Sequence, residues 1–137
     1  MTDAGEDPHV LALLARARAH RTLAGHVFDG PPADDDRPGW YVAVYVGAPS
    51  EVQYRYTGDH SQLEYTVTTH SVGTSPAQAR SASRMLRGQL TDHVLDVPGR
   101  HCRSITHPVG RPLEKDPDTS PALWFIADQF DFVSDPA

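Results

Sequence analysis

Eight histidines, one cysteine and a run of three aspartates are the side chains of this 137-residue sequence best suited to chemistry. The histidines are His9, His20, His26, His60, His70, His93, His101 and His107. None forms an H-E-x-x-H pair or another spacing that sets two metal ligands on one helix face, so no metal site is expected. Cys102 follows His101, but neighbours in sequence do not make a thiol–imidazole dyad, and an idle cysteine is the simpler reading. Asp34, Asp35 and Asp36 lack the alternating ligands, central glycine and distal glutamate of a calcium loop and read as a solvated loop. There is no Walker A lysine, no G-x-G-x-x-G and no G-x-S-x-G elbow. The pattern predicts no catalytic residue, no metal and no cofactor, and hence no enzyme.

One charged pattern stands apart. Arg80, Arg84 and Arg87 recur at helical spacing opposite an apolar stripe. They read either as the solvated back of a helix or as an interface comb facing carboxylates of another subunit; phosphate binding is disfavoured by the net charge of −6. The acidic surfaces available to such a comb are Asp34, Asp35 and Asp36, or Glu114 and Asp116.

These residues need a scaffold, and the length and the 39% apolar fraction suit one globular domain spanning 1–137. No run of about 18 apolar residues exists, so no transmembrane helix is expected. The acidic opening MTDAGEDPH lacks an apolar signal core, and a single cysteine excludes an internal disulfide framework. Asp7-Pro8 starts a first helix with an apolar stripe of Val10, Leu13, Leu14 and Ala17, ending near residues 23–25. Residues 26–29 read as a short strand and 30–39 (GPPADDDRPG) as a loop.

Residues 40–47 (WYVAVYVG) are the strongest strand, apolar on both faces and therefore expected at the centre of the sheet. Val52, Tyr54 and Tyr56, then Leu63, Tyr65 and Val67, alternate with polar residues, giving a three-strand antiparallel meander. Ser75 is placed to cap a second helix with Pro76 at its first position and Gln78 three residues on. Ala79, Ala82, Leu86, Leu90 and His93 line its buried face, with Met85 at the border. A weak strand over 103–109, a Pro-rich loop over 110–121 and a last strand over 123–133 complete an α+β fold. The expectation is an antiparallel sheet of four to five strands with both helices packed on one face.

Four phrases, in this order of elements, carry a resemblance. They are Val27-Phe28-Asp29-Gly30, the entry from Pro38 to Val46, V-G-T-S-P-A-Q-A from Val72 to Ala79, and the closing Asp128, Phe130 and Phe132 of D-x-F-x-F. Together they resemble the tail terminator proteins of long-tailed bacteriophages of actinobacterial hosts. The resemblance implies a virion protein, made in the host cytoplasm, that caps the tail tube, stops its elongation and joins the tail to the capsid neck. It further implies a homo-hexameric ring whose partners are the tail tube protein and a neck or connector protein. DNA would pass through the lumen without specific binding, and no membrane is involved. A phage neck or head-completion protein and a small-molecule-binding α+β module are the alternative readings.

Overall fold

The computed structural model describes residues 6–33, 37–52, 62–119 and 122–136. The order of elements is α1 (Pro8–Arg18), β1 (Val27–Asp29), β2 (Trp40–Val46), β3 (Ser50–Val52), β4 (Gln62–Gly73), α2 (Pro76–Leu90), β5 (Arg100–Cys102), β6 (Thr106–Gly110), β7 (Glu114–Asp116) and β8 (Leu123–Pro136).

Both helix starts follow from local chemistry. Asp7 caps α1 by accepting from the His9 amide at 2.8 Å, and Pro8 occupies a position whose amide needs no partner. Ser75 caps α2 by accepting from the Gln78 amide at 3.3 Å, while Gln78 Oε1 reaches back to the Thr74 amide at 2.8 Å. Gly73 makes this sharp strand-to-helix junction sterically accessible. A Cβ there would stand 2.6 Å from Gln78 Cβ, inside contact distance.

The helix ends differ from expectation. Helix α1 stops at Arg18, and Leu23 enters the core from a turn rather than from a helical face. Helix α2 stops at Leu90, where Asp92 adopts the left-handed conformation (φ 66°), so His93 lies beyond the helix. The two C-terminal ends are joined reciprocally. Arg16 Nε donates to Gln89 O at 2.9 Å, and Gln89 Nε2 donates to Arg16 O at 2.8 Å, so last-turn carbonyls of the two helices are tied together by each other's side chains.

The sheet is larger than expected and not purely antiparallel. Eight described strands form one sheet ordered β1-β2-β4-β8-β5, with β3 pairing β4 and with β6 and β7 pairing β8. The first pair, β1 with β2, is parallel, and no helix lies among the described residues between them. The anticipated meander is also different. β2 and β3 both pair antiparallel to β4, at Val67–Gly73 and Gln62–Glu64 respectively, so they act as one interrupted strand along its edge. Pro49 lies in the interruption, where its missing N–H cannot join a ladder. Tyr54 and Tyr56 lie outside the described residues. The centre is held by β4 and the 14-residue β8, with β2 one place outward.

Both helices lie on one face, as expected. Leu13, Leu14, Leu86 and Leu90 pack with Val42, Val44, Tyr65, Val67, Phe130 and Phe132 in the main core. Fully burying one such leucine contributes about 1.5–3 kcal/mol. The other face carries only a small cluster of Tyr41, Ala43 and Val72, flanked by Phe28, Leu123 and Phe125. The β1 edge is closed to further pairing at one point, because Arg18 donates to Val27 O through Nε (3.2 Å) and Nη2 (3.0 Å).

Candidate assembly surfaces and buried networks

Helix α2 presents its apolar stripe to the sheet, which leaves Arg80, Arg84 and Arg87 together on its exposed back. None of the three bonds to another described side chain. Glu114 and Asp116 stand on β7 opposite Phe125 and Leu123, which places them on the helix-free face of the sheet. Between them Lys115 lies 5.7 Å from the Trp124 ring on the other face. The arginines and these two acids therefore occupy opposite sides of the molecule. Asp34, Asp35 and Asp36 lie outside the described residues.

Sequence spacing gave no Asp–His–Ser constellation, yet the fold builds two. In the first, His9 Nδ1 donates to Asp7 Oδ1 at 2.9 Å and His9 Nε2 lies 2.8 Å from Ser134 Oγ. Tyr65 donates to Asp7 Oδ2 at 2.7 Å, and Arg100 Nε donates to Ser134 Oγ at 2.9 Å. Every atom is satisfied when the imidazole carries its proton on Nδ1 and accepts the Ser134 hydroxyl proton on Nε2. Burial is the largest influence on Asp7 and raises it, but hydrogen bonds from Tyr65 and from the His9 amide and ring together hold its carboxyl below the ordinary 3.8. Burial, then the bond to Asp7, pushes the Tyr65 hydroxyl well up.

This is the order of a serine-hydrolase triad, but its nucleophile position is sealed. Ser134 is 0% exposed and His9 4%. A hydroxyl fully buried near the end of β8, already accepting from an arginine, has no open face for a substrate. The network instead ties the start of α1 to β4 and β8. The sequence holds a partial signal, a histidine two residues after a capping aspartate, but its serine is 125 residues away.

In the second network the carboxylate is central. Asp128 on β8 accepts from Ser83 Oγ of α2 at 2.7 Å and from His107 Nε2 of β6 at 2.8 Å. Its side chain is 2% exposed, so the acid is anchored from a helix and from an edge strand. Neighbouring Thr69 and Ser71 on β4 have buried hydroxyls with no partner among the described residues.

The remaining sequence candidates separate. His101 and Cys102 are adjacent on a strand, so they point to opposite faces, and burial pushes the Cys102 thiol up and away from reactivity. His26 stacks on Trp40 (3.7 Å between centroids, 6° between planes) and bonds Trp40 O at 2.9 Å. His70, depressed by burial, lines an open groove of about 370 Å³ with Thr68, Arg111 and Gln129 on the helix-free face. His60 lies outside the described residues. Among the described residues no three His, Cys, Asp or Glu side chains converge to hold a metal ion. Nor is any described helix long and apolar enough to cross a membrane.

No family model and no curated protein matches the sequence. Folded chains do. A chain of the virion of a native gene transfer agent particle is 16% identical, over 96% of both chains, with a TM-score of 0.71. A second solved structure is 20% identical, again over 96% of both chains, with a TM-score of 0.61. At these identities the likeness is one of fold.

Proposed function

We propose that this chain is a structural protein of a phage-like particle, acting as one domain and not as an enzyme. The observation that carries the reading is the fold shared end to end with a chain of a gene transfer agent virion. The finer role we assign is tail terminator: a hexameric ring that caps the tail tube, stops its growth and offers the neck or connector protein its surface. The sequence phrases support this finer role through the resemblance of the Val72 to Ala79 junction, while the particle chain supports the broader reading, a structural protein of a phage-like particle.

A closed ring needs two different surfaces on each subunit. The arginine back of α2 is suited to one of them, because it repels a copy of itself and attracts acids. Glu114 and Asp116, on the opposite side, are one acidic surface available to it. Each exposed pair contributes about 0–1 kcal/mol, so charges set the register and apolar contact supplies the affinity. An acidic or neutral lumen lets DNA pass, since it does not hold the phosphates.

Purified protein mixed with tail tubes, followed by electron microscopy and light scattering, tests the role. Six-membered rings seated on tube ends, with tube length arrested, are the expected result. Rings that bind neck assemblies without arresting tubes identify a neck or head-completion protein instead. A monomer that ignores both overturns the structural reading.

A further inference from the structure

The proposed ring requires an apolar anchor as well as charges, and two features of this chain fit one another. Val94 is 51% exposed, an apolar side chain standing out just beyond α2. Asp92 and Asp96 flank it at two residues on either side, and both are exposed. Toward the other end of the same helix is a cleft of about 180 Å³ walled by Trp40 and Met85, with Thr22, Gln78 and Ser81 at its sides. An engineered apolar cavity of about 150 Å³ takes up benzene, so this one has room for an isopropyl group. Arg84 follows Ser81 by three residues and is therefore its neighbour on the helix surface, which puts a positive charge at the rim.

We infer that Val94 of one copy seats in the Trp40–Met85 cleft of the next, with Asp92 and Asp96 meeting the arginines of α2. The inference rests on the ring reading and identifies its anchor. Charge complementarity selects a second copy as the occupant: an acid-flanked apolar knob matches an arginine-rimmed apolar cleft, on a chain that carries both. Among the described residues the other apolar side chain more than half exposed, Leu11, lacks this setting, since Asp7, one turn before it, is engaged by His9 and Tyr65. Knob and cleft are separated along α2 by about 14 Å between Ser81 and Leu90, at 1.5 Å per residue. Two distinct surfaces allow each copy to pass the contact on to the next, and a head-to-tail contact of this kind closes as a ring when the rotation between copies divides a full turn. The burial of Trp40, Met85 and Val94 at the joint gives it the aromatic centre and charged border of a strong protein interface.

Disulfide trapping of the full chain tests the contact. In a Cys102→Ser background, Val94→Cys with Ser81→Cys is expected to give, on oxidation, a ladder of covalent multimers beyond the dimer. No cross-link, or one that stops at the dimer as a two-fold pair, overturns the inference. Circular dichroism verifies that each variant is folded. A charge exchange gives the second readout. Arg84→Glu and Asp96→Arg are each expected to weaken self-association about tenfold, and the double variant to recover it. Recovery by Glu114→Arg in place of Asp96→Arg would move the contact to β7 and refute the assignment. Rings on tail tubes without the cross-link leave the ring reading standing and remove this anchor. A ladder with no capping of tubes keeps the contact and removes the tail-terminator role.

Discussion

The Asp7–His9–Ser134 and His107–Asp128–Ser83 networks use the same three residue types and differ in which one stands in the middle. With histidine central, the charge sits at the end, on Asp7, whose side chain is 31% exposed and keeps contact with water. With aspartate central, the charge is inside, on a side chain only 2% exposed. The first network can lose one member and let Asp7 turn to solvent. The second cannot spare its central carboxylate, because the buried Ser83 hydroxyl left behind has nowhere to go. Burial, more than residue type, therefore decides how much each bond contributes. The same factor turns a triad-ordered group into a latch, since catalysis needs an accessible hydroxyl and Ser134 has none.

The largest expected effect is that of Asp128→Ala, which leaves Ser83 Oγ buried without its acceptor and frees His107 from β8. A loss of about 3 kcal/mol in urea unfolding is expected; a loss below that of any change in the first network would break the contrast. Tyr65→Phe keeps the ring stacked on Phe132 (4.8 Å between centroids) and removes only the hydroxyl, which donates to Asp7 and lies 3.0 Å from His9 Nδ1. About 1.5 kcal/mol is expected, the range of a bond to a charged group, read from the same titration. Ser83→Ala removes one of the two donors to Asp128 while His107 remains, so the expected cost is about 1 kcal/mol. If Ser83→Ala costs as much as Asp128→Ala, the serine and not the histidine carries the network.

The smallest effect is pH-dependent. The Asp7 carboxyl is depressed in the folded protein, so it binds its proton more weakly there than in the unfolded chain. Its contribution is therefore fully present above the ordinary value of 3.8 and is lost as pH falls through the lower folded value. Asp7→Asn removes that dependence. Unfolding titrations from pH 6 to pH 2 are expected to show wild type and Asp7→Asn converging in acid. A gap of constant size across this range would show that the Asp7 charge makes no difference.

Several features of the molecule were legible in its residues. Asp7 and Ser75 fix helix starts because a cap needs only an oxygen acceptor and a turn of neighbouring amides. The two faces of β2 follow from alternation, since strand side chains must point to opposite sides. The arginine stripe follows from the 3.6-residue period in the same way. Each of these depends on interactions within a few residues. By contrast, the parallel β1–β2 pair, the joining of β2 and β3 along one edge of β4, and the three short strands lining β8 depend on which distant segments meet. Local propensity cannot choose among such pairings. Ser134 shows the limit most clearly: as a residue in the terminal segment it carries no visible role. Only the packing of α1 and β5 against β8 gives it a histidine and an arginine. Only burial, which belongs to the whole fold, decides that the group they form is a lock rather than an active site.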